Sequence, residues 1–492
     1  MSPSLAGLLP EQHFPAELAR RNVSALTLDS RRLKPGETFV AIPGNEADGR
    51  DYIDQAIASG AAMVLAEQDR AEVTLRRDVP VIGVPRLSRE LGYLAARLHG
   101  EPARALRVFG ITGTNGKTST AWFLREALEA AGLPCGLVGT LGMSFRDEWQ
   151  STVHTTPDPL TLHAGLARFR DAGARAVVME VSSHALSQQR LQAVPVAVAV
   201  FTNLSRDHLD YHESMEAYFE AKASLFQAEG LELAVINADD PAGRQLIGQL
   251  PQGVRCLTFG SSEQADVRCT DFRARPSGLD CTLCIKGRNL SLSTTLYGRF
   301  NLQNLLAVAA VLQGCGTRAE DMGPALQAIT PVPGRMEPVG AQPGPRVLVD
   351  YAHTPDALEQ ALQAVRAHFS GRLWCVVGCG GDRDAGKRPQ MAAAAERFAD
   401  CVVLTSDNPR SESPAGIIDD MWQGLAHPQQ ARRVEDRAAA VEAAITAAGE
   451  EDVVLIAGKG HETWQEINGV RHPMDDRQLA SDALRRRHGE GL

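Results

Sequence analysis

Long apolar runs are missing from this 492-residue chain: no stretch approaches the roughly 20 consecutive apolar residues that cross a bilayer, so no membrane span is expected. The opening segment MSPSLAGLLPEQHFPAEL lacks a basic stretch ahead of an apolar core, which excludes a secretory signal as its reading. Paired cysteine spacings are scarce too. The nine cysteines are scattered singly except for Cys281 and Cys284 in CTLC, which sits in an alternating strand pattern without a second pair. A zinc site is therefore not expected there, and reduced thiols in a cytoplasmic protein are. Positive charge is in deficit: 50 Lys and Arg stand against 60 Asp and Glu, a formal net charge of −10, which argues against nucleic acid as the main partner. Internal repeats and low-complexity tracts are absent as well. What is present is a globular composition, 44% hydrophobic and 22% charged, at a length that suggests about three domains.

Pattern changes place the boundaries. Residues 1–95 carry short strand-like runs, ETFVAIPG and AAMVLAE, and lead into a helical pattern that breaks at Pro102. Residues 96–333 alternate strands and helices, which implies a mostly parallel sheet. PVPGR (331–335) reads as a hinge. Within 334–492, RVLVDYAHTP, LWCVVGCGG, CVVLTSDNP and DVVLIAGKGH are four strand-like runs, each followed by polar or glycine-rich residues. The expected fold is α/β with three domains: a first domain, a central P-loop mononucleotide-binding domain with a parallel sheet, and a C-terminal Rossmann-like domain whose ligand crevice lies at the carboxyl ends of its strands.

The central region holds the clearest chemistry. FGITGTNGKTSTAWFL (109–124) reads as strand, glycine turn, helix. Gly113 and Gly116 let backbone N–H groups approach phosphate oxygens, and Thr114, Asn115 and Ser119 complete the loop. Lys117 can reach the outer phosphates, and Thr118 can hold Mg²⁺. The glycine spacing is shorter than in the common pattern, which points away from GTPase switch proteins. Glu180 ends an apolar run and can ligate Mg²⁺ beside those phosphates. A second run delivers Asn203, Asp207, His208 and His212 just after its end. Farther on, Met215, Tyr218, Phe219, Leu225 and Phe226 form an apolar stripe at helical spacing, and Lys222 takes a position within it. Either its ammonium snorkels to solvent, or burial lowers its pKa and leaves a neutral amine open to modification.

The loop TGTNGKT, EVSSHAL, TNLSRDHLDYH, Lys222, GRFNLQN (298–304), PGRME (334–338), DYAHTPD (350–356) and DNPR (407–410) together resemble the Mur ligases, in order and spacing across nearly the whole chain. The resemblance implies an ATP-dependent amide-forming ligase of peptidoglycan synthesis, in which ATP converts a carboxylate to an acyl phosphate and an amine displaces the phosphate. By analogy Lys117, His208 and Lys222 are catalytic. Thr118 and Glu180 hold one Mg²⁺, while His208 and Lys222 serve a second, Lys222 as a carbamate formed with CO₂. Asn301 and Asn304 match positions near the nucleotide base, and Arg335 and Asp350 match contacts near the ribose.

For UDP-N-acetylmuramoyl-L-alanyl-D-glutamate the matching positions are Leu28, Ser30 and Asn45, with the loop up to Asp48, in the first domain, and Thr155, Thr156, Ser182 and Arg190 in the central one. DNPR marks family members that add meso-diaminopimelate, so Asp407, Asn408 and Arg410, with Arg383, Gly458 and Glu462, are expected to hold that amino acid through charges of both signs. The resemblance further implies a monomer. A folylpolyglutamate synthetase-like ligase shares the ATPase core but would need neither the uridine-binding pattern of the first domain nor DNPR.

Overall fold

A computed structural model describes residues 2–44, 47–340 and 344–487. The chain forms two compact units, Met1–Thr258 and Phe259–Leu492.

The first unit begins with a five-stranded sheet in the order β1 (Leu26–Thr27), β2 (Thr38–Ala41), β3 (Met63–Glu67), β5 (Val79–Val84), β4 (Val73–Arg76), parallel except at β4. Side chains alternate across a strand. Met63 and Leu65 therefore join Leu87, Leu91 and Leu94 of the helix Leu87–Leu98 on one face, while Val64 and Ala66 join Ile53, Ala56 and Ile57 on the other.

The second sheet of this unit runs β12 (Leu233–Asn237), β11 (Val198–Phe201), β6 (Arg107–Thr112), β10 (Ala176–Glu180), β7 (Cys135–Gly139), β8 (Gly142–Phe145), β9 (Glu148–Gln150). The strands from β12 to β7 are parallel, and β8 and β9 are antiparallel additions. Both faces of the parallel part are covered, which is why its strands read as unbroken apolar runs. From β6 the order departs in both directions, to β10 and to β11. A crevice therefore opens at the carboxyl end of β6, where the glycine loop begins.

The division between units falls within β13 (Arg255–Gly260). In the second unit, β14 (Val267–Arg275), β15 (Gly278–Ile285) and β16 (Arg288–Thr294) form an antiparallel meander. Cys281 and Cys284 point to opposite faces of β15, and all nine cysteines are free thiols.

The remaining sheet has the order β17 (Glu337–Val339), β18 (Arg346–Asp350), β22 (Val453–Ala457), β19 (Leu373–Val377), β20 (Cys401–Leu404), β21 (Ala431–Arg433), parallel except at β17. Leu348, Cys375, Val377, Leu404 and Leu455 pack on the helices Pro355–His368 and Lys387–Phe398. Val349, Trp374, Val376, Val454 and Ile456 face Arg437–Ala447 and Asp476–Arg487. A hairpin of β23 (Trp464–Ile467) and β24 (Val470–Pro473) follows. The fold is α/β with parallel-rich sheets in three domains, and no helix among the described residues is long and apolar enough to cross a membrane.

Candidate active site

The loop after β6 has little choice of residue. Gly113 has φ +145°, and a Cβ there would lie 1.9 Å from Thr202 Oγ1. Gly116, at φ +83°, precedes the helix Lys117–Ala130 without a side-chain cap, so the N–H groups of the first turn face an approaching anion. Bonds from the end of β11 brace the loop. Thr114 N donates to Asn203 O at 2.9 Å, Asn115 N to Asn203 Oδ1 at 2.9 Å, and Thr202 Oγ1 to Asn115 O at 2.6 Å.

Lys117 Nζ folds back to donate to the carbonyls of Gly113 at 2.9 Å and Thr114 at 2.8 Å. Thr118 Oγ1 donates to Glu180 Oε2 at 2.8 Å, and the carboxylate also accepts from Thr140 N at 2.7 Å. A hydroxyl beside a buried carboxylate is a hard oxygen donor set that suits Mg²⁺. Among the described residues no three His, Cys, Asp or Glu side chains converge to hold a metal. An ion at Thr118 and Glu180 would therefore complete its shell from phosphate and water. Ser119 is buried in the first turn of the helix.

Lys222 does not snorkel. On the helix Met215–Ala223, capped by Ser214, it is 1% exposed. Its Nζ donates to Gly113 O at 2.8 Å, the same carbonyl that Lys117 reaches, and lies 4.3 Å from the centre of the Tyr218 ring. Burial, reinforced by the neighbouring Lys117 charge, pulls the amine down from 10.5 to about 6, against a weaker pull from Asp207. Of the two readings of this lysine, its burial goes against the snorkelling one.

His208 has a different setting. It is exposed, at φ +53°, with its Nε2 3.6 Å from Asp207 and its ring 6.1 Å from that of Tyr218, so Tyr218 neighbours both His208 and Lys222. His212 is buried, with Nε2 2.9 Å from Ser183 Oγ.

Thr155, Thr156, Ser182 and Arg190 form one network beside Glu180. Thr156 Oγ1 donates to Glu180 O at 2.8 Å and accepts from Ser182 N at 3.1 Å, while Arg190 Nη1 donates to Thr156 O at 2.7 Å. Thr155 Oγ1 is 3.2 Å from Thr140 Oγ1. Ser30 is buried with its hydroxyl donating to Gln55 Oε1 at 3.2 Å, and Leu28 lines a cavity of about 390 Å³ with Asp29, Arg32, Gln150 and Asp158. Asn45 lies outside the described residues.

In the second unit, Asn301 and Asn304 are buried on the helix Arg299–Gly314, where Asn301 Nδ2 donates to Tyr297 O at 2.8 Å and Asn304 Nδ2 to Asn301 Oδ1 at 3.2 Å. The Arg335 guanidinium stacks 4.4 Å over Tyr351, and its buried Nε has no hydrogen-bond partner among the described residues. Asp350, at the end of β18, accepts from Met336 N and Ala352 N, both at 2.8 Å, and burial pushes its carboxyl up.

The carboxyl ends of β20 and β22 bring Asp407, Asn408, Arg410, Gly458 and Glu462 together. Arg410 takes φ +52°, donates its backbone N–H to Glu466 O at 3.0 Å, and extends Nη1 to Gly381 O at 2.7 Å. Gly458, at φ +115°, leaves no room for a side chain: a Cβ would stand 2.6 Å from Asp407 Oδ2. Glu462 Oε2 accepts from Asn408 Nδ2 at 2.8 Å. Arg383 is exposed on the loop that follows β19. The crevice thus offers a guanidinium and a carboxylate, a pairing for a zwitterion.

Sequence reasoning missed four residues. Thr140 holds Glu180. Lys459 is completely buried, although in AGKGHE it stands between the expected site residues Gly458 and Glu462. Arg437 and Asp476 form an ion pair at 2.7 Å with both side chains 0% exposed, and Arg437 also donates to Ser406 O and Ala457 O. Partners 39 residues apart leave no local signal.

Three family models match the chain: "Mur ligase family, catalytic domain" over residues 22–99, "Mur ligase middle domain" over 111–312, and "Mur ligase, glutamate ligase domain" over 334–460. The UDP-N-acetylmuramoyl-L-alanyl-D-glutamate–2,6-diaminopimelate ligase of Pseudomonas aeruginosa is 48% identical over 474 residues, 96% of this chain and 97% of the relative. A solved ligase of the same name is 35% identical with a TM-score of 0.72, covering 99% of this chain and 100% of that one. A solved MurF ligase from Thermotoga maritima in complex with ADP shares the fold at 20% identity and a TM-score of 0.65, over 95% of this chain and 98% of that one. With matches to all three family models and near-complete overlap with its relatives, the chain belongs to the Mur ligase family.

Proposed function

We propose that this enzyme joins meso-diaminopimelate to UDP-N-acetylmuramoyl-L-alanyl-D-glutamate at the expense of ATP, giving the UDP-N-acetylmuramoyl-tripeptide of peptidoglycan synthesis. The observation that carries the choice of amino acid is the crevice at the carboxyl ends of β20 and β22, in which Arg410 and Glu462 offer opposite charges to a substrate that has two carboxylates and two ammoniums. The names of the relatives support the same choice.

A carboxylate is a poor electrophile, and its phosphorylation by ATP gives an acyl phosphate that an amine attacks. Phosphate leaves and an amide forms. Gly113 to Ser119 are assigned to the triphosphate, whose transferring group spreads negative charge that the N–H groups of the loop and Lys117 stabilise. Lys117 exchanges its two carbonyl partners for phosphate oxygens. Thr118 and Glu180 would hold Mg²⁺, which would supply charge neutralisation there. Asn301, Arg335 and Asp350 are assigned to the nucleoside, a role supported by Arg335 Nε, which has no hydrogen-bond partner among the described residues. Leu28, Ser30, Asn45, Thr155, Thr156, Ser182 and Arg190 are assigned to the UDP-sugar dipeptide, and Arg383, Asp407, Asn408, Arg410, Gly458 and Glu462 to diaminopimelate.

Lys222 is proposed as a carbamate. Its neutral amine would add CO₂ and release a proton to water, and the resulting anion with His208 would hold a second Mg²⁺, which would supply further charge neutralisation. The support is its burial and lowered pKa, because CO₂ adds only to the unprotonated amine. Domain bounds of 1–95, 96–333 and 334–492, a monomeric state and a cytoplasmic setting belong to the same proposal.

The test is product mass. Enzyme, ATP, Mg²⁺ and the UDP-sugar dipeptide are incubated with a panel of amino acids. The proposal expects the tripeptide mass with meso-diaminopimelate, with ADP released only when both the carboxylate and amine substrates are present. ADP release independent of the amino acid would refute it.

A further inference from the structure

The loop after β22 carries a lysine that no step above uses. Lys459 is 0% exposed, and its Nζ donates to Asn408 Oδ1 and to Glu462 Oε2, each at 3.0 Å. Asn408 Oδ1 also accepts from Glu466 N at 3.0 Å, while Asn408 Nδ2 donates to Glu462 Oε2 at 2.8 Å. Two donors on Oδ1 fix which way the Asn408 amide faces. Two donors on Oε2 hold the Glu462 carboxylate by one oxygen, so that Oε1 is the oxygen these donors do not engage.

The same arrangement reaches Arg410 through the backbone. Glu466 lies on β23, and its carbonyl accepts from Arg410 N at 3.0 Å, while Asn468 N donates to Arg410 O at 2.6 Å. Lys459 Nζ stands 5.4 Å from the ring centre of Trp464 at the start of that strand. One buried ammonium thus sits where the loop carrying Asn408 and Arg410, the loop carrying Glu462, and the hairpin meet. A surface lysine could not do this, because solvent would compete for every one of its bonds.

We propose that Lys459 is a positioning residue for the amino-acid substrate. It orients Asn408 and Glu462 so that Glu462 presents Oε1 to a substrate ammonium in the crevice where Arg410 presents its guanidinium to a substrate carboxylate. This rests on the ligase function proposed above. Lys459 touches no reacting atom in this scheme and acts through Glu462. Its loss should therefore appear in the KM for the amino acid rather than in ATP use.

Steady-state kinetics of the full-length enzyme test it with Lys459→Met, Lys459→Gln, Glu462→Gln and the Lys459→Met/Glu462→Gln double variant. Removing the ammonium leaves Glu462 without its cation, and a KM for meso-diaminopimelate at least about 30-fold higher is expected, with the KM values for ATP and UDP-sugar dipeptide within about 2-fold of wild type. Lys459→Gln keeps one donor in the pocket and should lose less. It also carries the test if the methionine variant does not fold. Because Lys459 works through Glu462, the double variant should be within about 3-fold of Glu462→Gln alone.

Wild-type enzyme that turns over no amino acid with two carboxylates and two ammoniums overturns the ligase reading and this proposal with it. Wild-type activity with diaminopimelate, together with folded Lys459 variants of unchanged amino-acid KM, overturns the positioning role alone. Equal rises in all three KM values, or additive losses in the double variant, do the same.

Discussion

Replacing Lys222 with methionine should make the protein more stable and nearly inactive. The wild-type amine is held almost without exposure, and burial lowers its pKa from 10.5 to about 6. As pH falls below 10.5 the unfolded lysine binds a proton first, while the folded one waits until about 6. The wild type therefore loses stability as pH falls across that window and gains it as pH rises. At about 1.4 kcal/mol per pH unit, the penalty is roughly 6 kcal/mol below pH 6 and roughly 5 kcal/mol at pH 7.

Methionine has a similar length and no charge to desolvate, and its cost is mainly the lost hydrogen bond to Gly113 O, about 1 kcal/mol. A net gain of about 2 to 4 kcal/mol at pH 7 should raise Tm by roughly 5 to 15 °C for a unit of this size. The assay is calorimetry of both proteins in CO₂-depleted, chelator-containing buffer at pH 6, 7.5 and 9.5, with ligase activity measured in parallel. The gain should be greatest at pH 6 and small at pH 9.5. A methionine variant that melts lower at every pH, or one whose gain is the same at pH 6 and 9.5, would show that burial does not depress the Lys222 amine.

Other outcomes follow from single contacts. Gly458→Ala must relieve a Cβ placed 2.6 Å from Asp407 Oδ2 at φ +115°, so roughly 1 to 3 kcal/mol of strain should raise the KM for diaminopimelate on the order of 10-fold, read by the same kinetics with ATP as control. Asp476→Asn leaves Arg437 charged in a fully buried setting and should destabilise its unit by about 3 to 5 kcal/mol, measured by urea unfolding. Thr118→Val removes the hydroxyl that meets Glu180 at 2.8 Å, and titration of activity should show a higher Mg²⁺ requirement with an unchanged KM for diaminopimelate. Lys222→Arg should be as inactive as the methionine variant, because a guanidinium keeps its charge and does not take up CO₂ in this way. Near-normal turnover would remove the carbamate from the account.

What the sequence made legible is what chemistry compresses into a few neighbouring residues. The phosphate loop could be read because the strand end, the glycines, Lys117 and Thr118 must be contiguous to wrap a phosphate. Lys222 could be read because one charged residue interrupted an apolar period. The four apolar runs of 334–492 became β18, β19, β20 and β22, since parallel strands covered on both faces need unbroken apolar sequence. The short, half-exposed β21 and the polar β16 have no such signature.

Long-range contacts were the least visible. Thr140 meets Glu180 across 40 residues, Arg437 meets Asp476 across 39, and Lys459 meets Asn408 across 51. The grip of β23 on Arg410 uses backbone atoms alone, which every residue carries.

Selection by this crevice of an amino acid with a second carboxylate is read from the ratio of kcat/KM for meso-diaminopimelate over L-lysine, in the wild type and in Arg410→Ala. A carboxylate left unpaired costs about 2 to 4 kcal/mol, which predicts a wild-type ratio of about 30 to 1000 that falls close to one in the variant. A wild type that uses L-lysine as well as diaminopimelate, or an Arg410→Ala enzyme that keeps the wild-type ratio, would contradict the account.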